Sequence, residues 1–405
     1  MTPSPRTGRT LLFASLLAAT LTVTSCAASD APAPASSASI PPNDGVDGGG
    51  AAEVASPALA LLVADANGDL TLLDLETEER STLVEADADA DAVLGVGRFA
   101  HVTHVEGEAT AVDIIDSGRW TVPHGDHSHS FLGDAGVLGT IDGEGPADIR
   151  VGDSATAIRF GGDVALIDHE KLADLDDAPR LTLPVDPAGP VLPFSGHLLA
   201  ATDETIEILD AEGTATGITA PCSTATDADI TRVGAVFACE TGALLVTREV
   251  GGALAAELIP YPAVTPSARD LSGRADRPDL AGVAGDQGAW LLDSRAREWM
   301  LLPTDPPLLR AAAIGDDDSH TVVIATDGTV RVLTEDGSEL ARTAPLLAAS
   351  LSDPTLRDRV QLLVDARHAY VSDPAAGAVH EIDHADGAVT RTLEGLDPHR
   401  IQLVG

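Results

Sequence analysis

Lysine is nearly missing from this sequence: Lys171 stands alone among 405 residues. With 64 acidic against 24 basic side chains, the formal net charge is −40. A surface of that sign repels phosphate backbones and anionic headgroups, which argues against nucleic acid as a partner. It would concentrate cations, though only within about 10 Å at moderate salt. Aromatic residues make up only 3% of the chain, so Leu, Val, Ile and Ala must carry the packing. Runs long and periodic enough for amphipathic helices are scarce, and the best candidate, Asp168 to Asp177, is short. The GxSxG elbow, the Walker loop and HExxH are all absent, which removes the enzyme classes those motifs define.

The start of the chain carries an address. Arg6 and Arg9 precede an apolar run, Leu11 to Val23, that is too short to span a bilayer. A positive start followed by such a run reads as an export signal. It leads into Val23-Thr24-Ser25-Cys26, which resembles a bacterial lipobox, in which the peptide is cut before the cysteine and the cysteine is lipidated. The expectation is a signal peptide over 1–25, a lipidated Cys26 that anchors the protein outside the cytoplasmic membrane, and a structureless tether to residue 56. The tether is Ala, Ser, Pro, Gly and Asp with almost no large apolar residue. Residues 57–405 then form one folded domain. Two cysteines remain there, Cys222 and Cys239. Outside the cytoplasm such a pair is more often a disulfide than a metal site.

A weak pattern recurs along that domain. A run of Leu, Val and Ala meets an Asp or Gly turn, and a second run ends in Leu-Asp or Ile-Asp. Leu61 to Asp74 and Leu199 to Asp210 show it, and so do the stretches from Val322 to Leu333 and from Tyr370 to Asp383. Asp-Gly and Asn-Gly steps between short β-branched runs signal hairpins. Units of about 40–50 residues built this way are typical of propeller blades. The chain therefore reads as an all-β propeller, preferably of eight blades, with seven as the alternative. Candidate starts fall near residues 58, 91, 136, 188, 222, 268, 306 and 347. The final run, Arg400 to Val404, is expected to return to the first blade and close the ring, leaving no exposed sheet edge.

Histidine is concentrated at one place. Three of the 12 histidines fall within Pro123-His124-Gly125-Asp126-His127-Ser128-His129. Neutral imidazole is the commonest protein ligand for Zn²⁺. In an extended segment alternate residues share a side, so His127 and His129 converge while Ser128 faces away. Gly125 gives the backbone freedom to fold His124 back towards them. Three nitrogens leave a tetrahedral shell one ligand short. Asp126, water, a partner or a distant side chain could supply the fourth. His104 and His197 are weaker candidates. His101 and His104 lie three apart on one strand and point to opposite faces, so they cannot both join one site without a bulge.

Three stretches around this motif resemble the AztD-type zinc metallochaperones: Arg98-Phe99-Ala100-His101-Val102-Thr103, Val112 to Gly118, and Trp120 to His129. The resemblance is strongest over 98–130. It implies an exported β-propeller that accompanies a zinc-importing ABC transporter and passes Zn²⁺ to its solute-binding protein. It places the zinc-binding histidines on His124, His127 and His129. Relatives often carry a second His-rich segment near the mature N-terminus, whereas residues 27–57 here contain no histidine. The lipid anchor is a further departure from a freely diffusing chaperone.

The reading that follows is a monomeric, membrane-anchored zinc metallochaperone, not an enzyme. The alternatives are a metal-independent propeller scaffold for protein binding, or a zinc hydrolase with Asp126 as its base. The acidic run Glu85, Asp87, Asp89 and Asp91 lacks EF-hand spacing and reads as a solvated loop. Asp316 to His320 reads as a turn between blades. His380 and His384 have a helical spacing in β surroundings and are poor metal candidates.

Overall fold

The computed structural model describes residues 50–85, 90–124, 127–172, 175, 178–262 and 266–405. The expected export signal, Cys26 and most of the expected tether lie outside the described residues, as do Asp87 and Asp89 of the acidic run. Among the described residues, eight four-stranded antiparallel sheets follow one another along the chain. The first joins Ala60–Ala64, Leu70–Asp74 and Arg80–Val84 to Arg400–Val404 from the end of the chain. The second contains Ala90–Val96, Phe99–Glu106, Ala109–Asp116 and Gly136–Glu144. The other six run in simple sequence order, with first strands at Ala147–Val151, Val191–Phe194, Asp227–Ile230, Arg269–Ser272, Leu308–Ala313 and Leu362–Val364.

First strands of neighbouring sheets touch, as 147–151 does 191–194 and 269–272 does 308–313. This is a β-propeller, and those strands line its centre. The ring closes as expected: Arg400–Val404 pairs antiparallel with Ala60–Ala64, from Ala60 opposite Val404 to Ala64 opposite Arg400.

The repeated Leu-Asp and Ile-Asp steps have a local cause. Asp74 Oδ1 accepts the backbone N–H groups of Glu76 and Thr77, at 2.9 and 2.8 Å. Asp210 and Asp293 bind the turns that follow them in the same way. A short acidic side chain that hydrogen-bonds its own following turn fixes the reversal between strands. Between the sheets lie aliphatic layers, for example Leu199, Ile206, Ile208, Leu244 and Val246 around Phe237. Cys222 and Cys239 are buried in that layer and joined as a disulfide.

The fold corrects four expectations. Asp316 to His320, expected as a turn between blades, joins two strands of one sheet, Leu308–Ala313 and Thr321–Ala325. The run from residue 136 does not open a third blade. Gly136–Glu144 is the fourth strand of the second sheet, delayed by an inserted hairpin. The last sheet starts at Leu362, not near 347, because the helices Ala348–Ser352 and Pro354–Arg357 precede it. The second helix is capped by Asp353, whose side chain accepts from Thr355 N. Finally, Ala52–Val54, expected within the tether, form a strand. Of the short candidate helix at 168–177, Asp168 closes the strand Asp163–Asp168, and residues 173, 174, 176 and 177 lie outside the described residues. No helix of the described residues is long and apolar enough to cross a membrane.

Candidate metal centre

The inserted hairpin leaves the second sheet after Asp116. Its strands are Arg119–His124 and His127–Leu132, and Ala52–Val54 pairs with the second of them to make a separate three-stranded sheet. Its root is built tightly. Gly118 has φ +67°, and a Cβ there would lie 2.5 Å from the Gly133 carbonyl oxygen, so only glycine fits. The Gly133 N–H donates to the Gly118 carbonyl at 2.7 Å. Ser117 Oγ donates to the Arg98 carbonyl at 2.7 Å. Arg119 reaches Asp74 of the first sheet at 3.0 Å. The hairpin is thus tied to two sheets before it projects.

Register decides which side chains meet. His124 is directly opposite His127, Val122 opposite His129, and Trp120 opposite Phe131. Directly opposed residues share a face in an antiparallel pair, as do residues two apart on one strand. All three histidines therefore project from one face, with Trp120 and Phe131 stacked nearer the root at 5.4 Å between centroids. Ser128 and Ser130 take the other face, where Ser130 Oγ lies 3.0 Å from Thr121 Oγ1. Residues 125 and 126 join the strands and lie outside the described residues, so the expected weak ligand Asp126 does too.

The ligand atoms of His124, His127 and His129 all lie within 4.8 Å of one another. His127 Nε2 and His129 Nε2 are 3.0 Å apart. Tetrahedral Zn²⁺ with Zn–N near 2.0–2.1 Å holds its ligand nitrogens roughly 3.3 Å apart, so this pair is already close to ligand spacing. His124, within the same 4.8 Å group, completes a three-nitrogen set. His124 and His127 are exposed and His129 is buried. The set could hold a metal ion while leaving a coordination position towards solvent.

One neighbour of the site was invisible in the sequence. Glu53, on the strand Ala52–Val54, places Oε1 2.7 Å from His129 Nδ1. It lies in a low-complexity segment 76 residues from its partner, and only the strand pairing brings it there. The weaker candidates lie elsewhere. His104 Nε2 is 3.3 Å from Asp113 on the adjacent strand. His197 opens the strand His197–Ala201, with Nδ1 2.9 Å from the Ser195 carbonyl oxygen. Neither belongs to the group whose ligand atoms converge. His101 is buried, and desolvation pushes its pKa down to about 4, which keeps it neutral in the core.

Fold and hairpin together define a β-propeller that carries a candidate three-histidine metal site outside its blades. The chain is similar to two structures of AztD from Citrobacter koseri, one of them the apo form. Both give a TM-score of 0.71 over 86% of this chain and 98% of that one, at 17% and 18% identity. It is also similar, with a TM-score of 0.50 and 14% identity, to the dihydro-heme d1 dehydrogenase NirN in complex with DHE, over 84% of this chain and 74% of that one. No protein-family model matches the chain. At these identities the likeness shows a shared fold, of the AztD type.

Proposed function

We propose that this protein carries Zn²⁺ outside the cytoplasm and hands it to the solute-binding protein of a zinc ABC importer. The observation that carries the reading is the convergence of His124, His127 and His129 on one face of a projecting hairpin, two of them exposed. Imidazole suits zinc, and a three-nitrogen set leaves one position for an incoming ligand. In the proposed exchange, a ligand of the partner enters that position and the hairpin histidines leave in turn. No bond of a substrate is broken, so the protein is not an enzyme. The fold does not decide this, since it is shared with a dehydrogenase, and the reading rests on the site and on the AztD-type resemblance of residues 98–130.

The disulfide fits an oxidising compartment. The proposed location is the outer face of the cytoplasmic membrane, with the monomer held by lipid on Cys26. Cys26→Ser should release the protein from membranes or leave its precursor uncut, and membrane retention of a correctly processed variant would rule the anchor out.

Equilibrium dialysis with metal analysis on residues 27–405 should find at least one bound Zn²⁺ at neutral pH. Loaded protein should pass zinc to the apo binding protein faster than zinc is lost to a chelator. Transfer that merely follows the off-rate would refute the hand-over and leave a zinc-binding protein.

A further inference from the structure

We propose that Glu53 is the positioning residue of the histidine site, and that through it the strand Ala52–Val54 and the bound ion stabilise each other. The inference rests on the reading of His124, His127 and His129 as ligands. Glu53 Oε1 is 2.7 Å from His129 Nδ1. A carboxylate there accepts Nδ1–H, which leaves the lone pair of the neutral ring on Nε2. Nε2 is also the atom that faces His127. Carboxylate–imidazole pairs of this kind fix the tautomer and orientation of a ligating ring and raise its basicity.

Glu53 is in place because Ala52–Val54 pairs with the outer strand of the hairpin, Ala52 opposite Leu132, Glu53 opposite Phe131 and Val54 opposite Ser130. Glu53 therefore shares a face with Phe131 and lies diagonally from His129, within reach of a long side chain. A shift of this register by one residue would turn Glu53 to the face of Ser128 and Ser130, away from the imidazoles.

The strand itself is weak. It has three residues, two exposed and one half-buried, and so short an element buries little apolar surface. Beyond its pairing with residues 130–132, the contact to His129 adds a side-chain tie to it. Coupling of this kind is reciprocal: if the docked strand raises zinc affinity, zinc raises strand docking by the same factor. A partner that displaced residues 52–54 would loosen zinc as it arrived.

The test uses the full-length protein, Zn²⁺ and a competing chelator. Glu53→Ala should weaken zinc binding about 10- to 100-fold, the range for loss of an outer-shell partner. Glu53→Gln keeps an acceptor oxygen and should recover part of that loss. Zinc should slow amide exchange at 52–54 in the wild type and lose that effect in Glu53→Ala, a difference that a merely structural role would not produce. Wild-type affinity in Glu53→Ala, with zinc lost in the triple histidine-to-alanine variant, overturns the role of Glu53 and leaves the ligands standing. Unchanged exchange at 52–54 on adding zinc overturns the coupling. Zinc retained by the triple variant overturns the ligand reading and this inference with it.

Discussion

The guanidinium of Arg98 lies over the indole of Trp120, 3.9 Å from the ring centroid. Its Nε and Nη2 also grip both oxygens of Asp116, at 2.8 and 2.6 Å. One side chain thus joins the end of the strand Ala109–Asp116 to the first strand of the histidine hairpin. A cation–π contact at a partly exposed site contributes about 0.5–1 kcal/mol, and an ion pair of similar exposure about 0–1 kcal/mol. Arg98→Ala should therefore speed amide exchange across 119–124 and 127–132 by roughly 10-fold, with core strands such as 235–239 unchanged. Equal acceleration in hairpin and core would show that Arg98 supports the whole propeller instead.

The disulfide should act on stability alone. Cys222 and Cys239 are 17 residues apart and both buried. They lie in the layer around Phe237, which includes no residue of the hairpin. Closing such a loop is worth about 3 kcal/mol in the chain-entropy model. The Cys222→Ser/Cys239→Ser double variant should unfold at lower denaturant concentration and bind zinc as the wild type does. Alkylation mass spectrometry on the non-reduced protein should find neither thiol free.

Much of the fold was legible because it is periodic. The Leu-Asp turns and the closing strand Arg400–Val404 follow from local pattern, and the structure places them as expected. The convergence of His127 and His129, with Ser128 turned away, followed from the two-residue period of a strand. Gly136–Glu144 was misplaced because the hairpin interrupts its sheet, and a spacing rule reads an insertion as a new repeat. Glu53 could not be read at all. Ala-Glu-Val between alanines and Ser-Pro carries no strand signal of its own, and its place depends on an edge supplied by residues 130–132.

Asp229 makes the stability of the propeller depend on pH. It lies on the first strand of its sheet, Asp227–Ile230. Desolvation raises its pKa to about 7, with Asp227 adding to the rise, while the Ile230 N–H and Arg150 oppose it. The folded state therefore holds this proton more tightly than the unfolded one. Its stabilising share is complete below the unfolded value of about 3.9 and is lost as pH rises through 7. Some of the residue's surface still meets water, so the effect should be about 1–2 kcal/mol rather than the full linkage value. Relative to the wild type, Asp229→Asn should gain stability between pH 5 and pH 8 in urea melts. A difference that does not change with pH would show that Asp229 is ionised in the folded protein throughout.

The histidines should separate binding from folding. His127 is exposed, so His127→Ala removes a ligand and almost no packing. His129 is buried and touches Glu53, so His129→Ala also leaves a small gap and a carboxylate without this contact. Both variants should lose zinc affinity by more than the roughly 10- to 100-fold expected for an outer-shell change. Only His129→Ala should also loosen the hairpin, and neither should shift the main unfolding transition, because the propeller sheets close without them. Ser128→Ala, on the opposite face, should bind as the wild type does. Since imidazole must be neutral to ligate, acidification should release zinc from the wild type with uptake of protons. Calorimetry in buffers of different ionisation enthalpy would count those protons. A triple alanine variant that still bound zinc with wild-type affinity would place the site elsewhere in the chain.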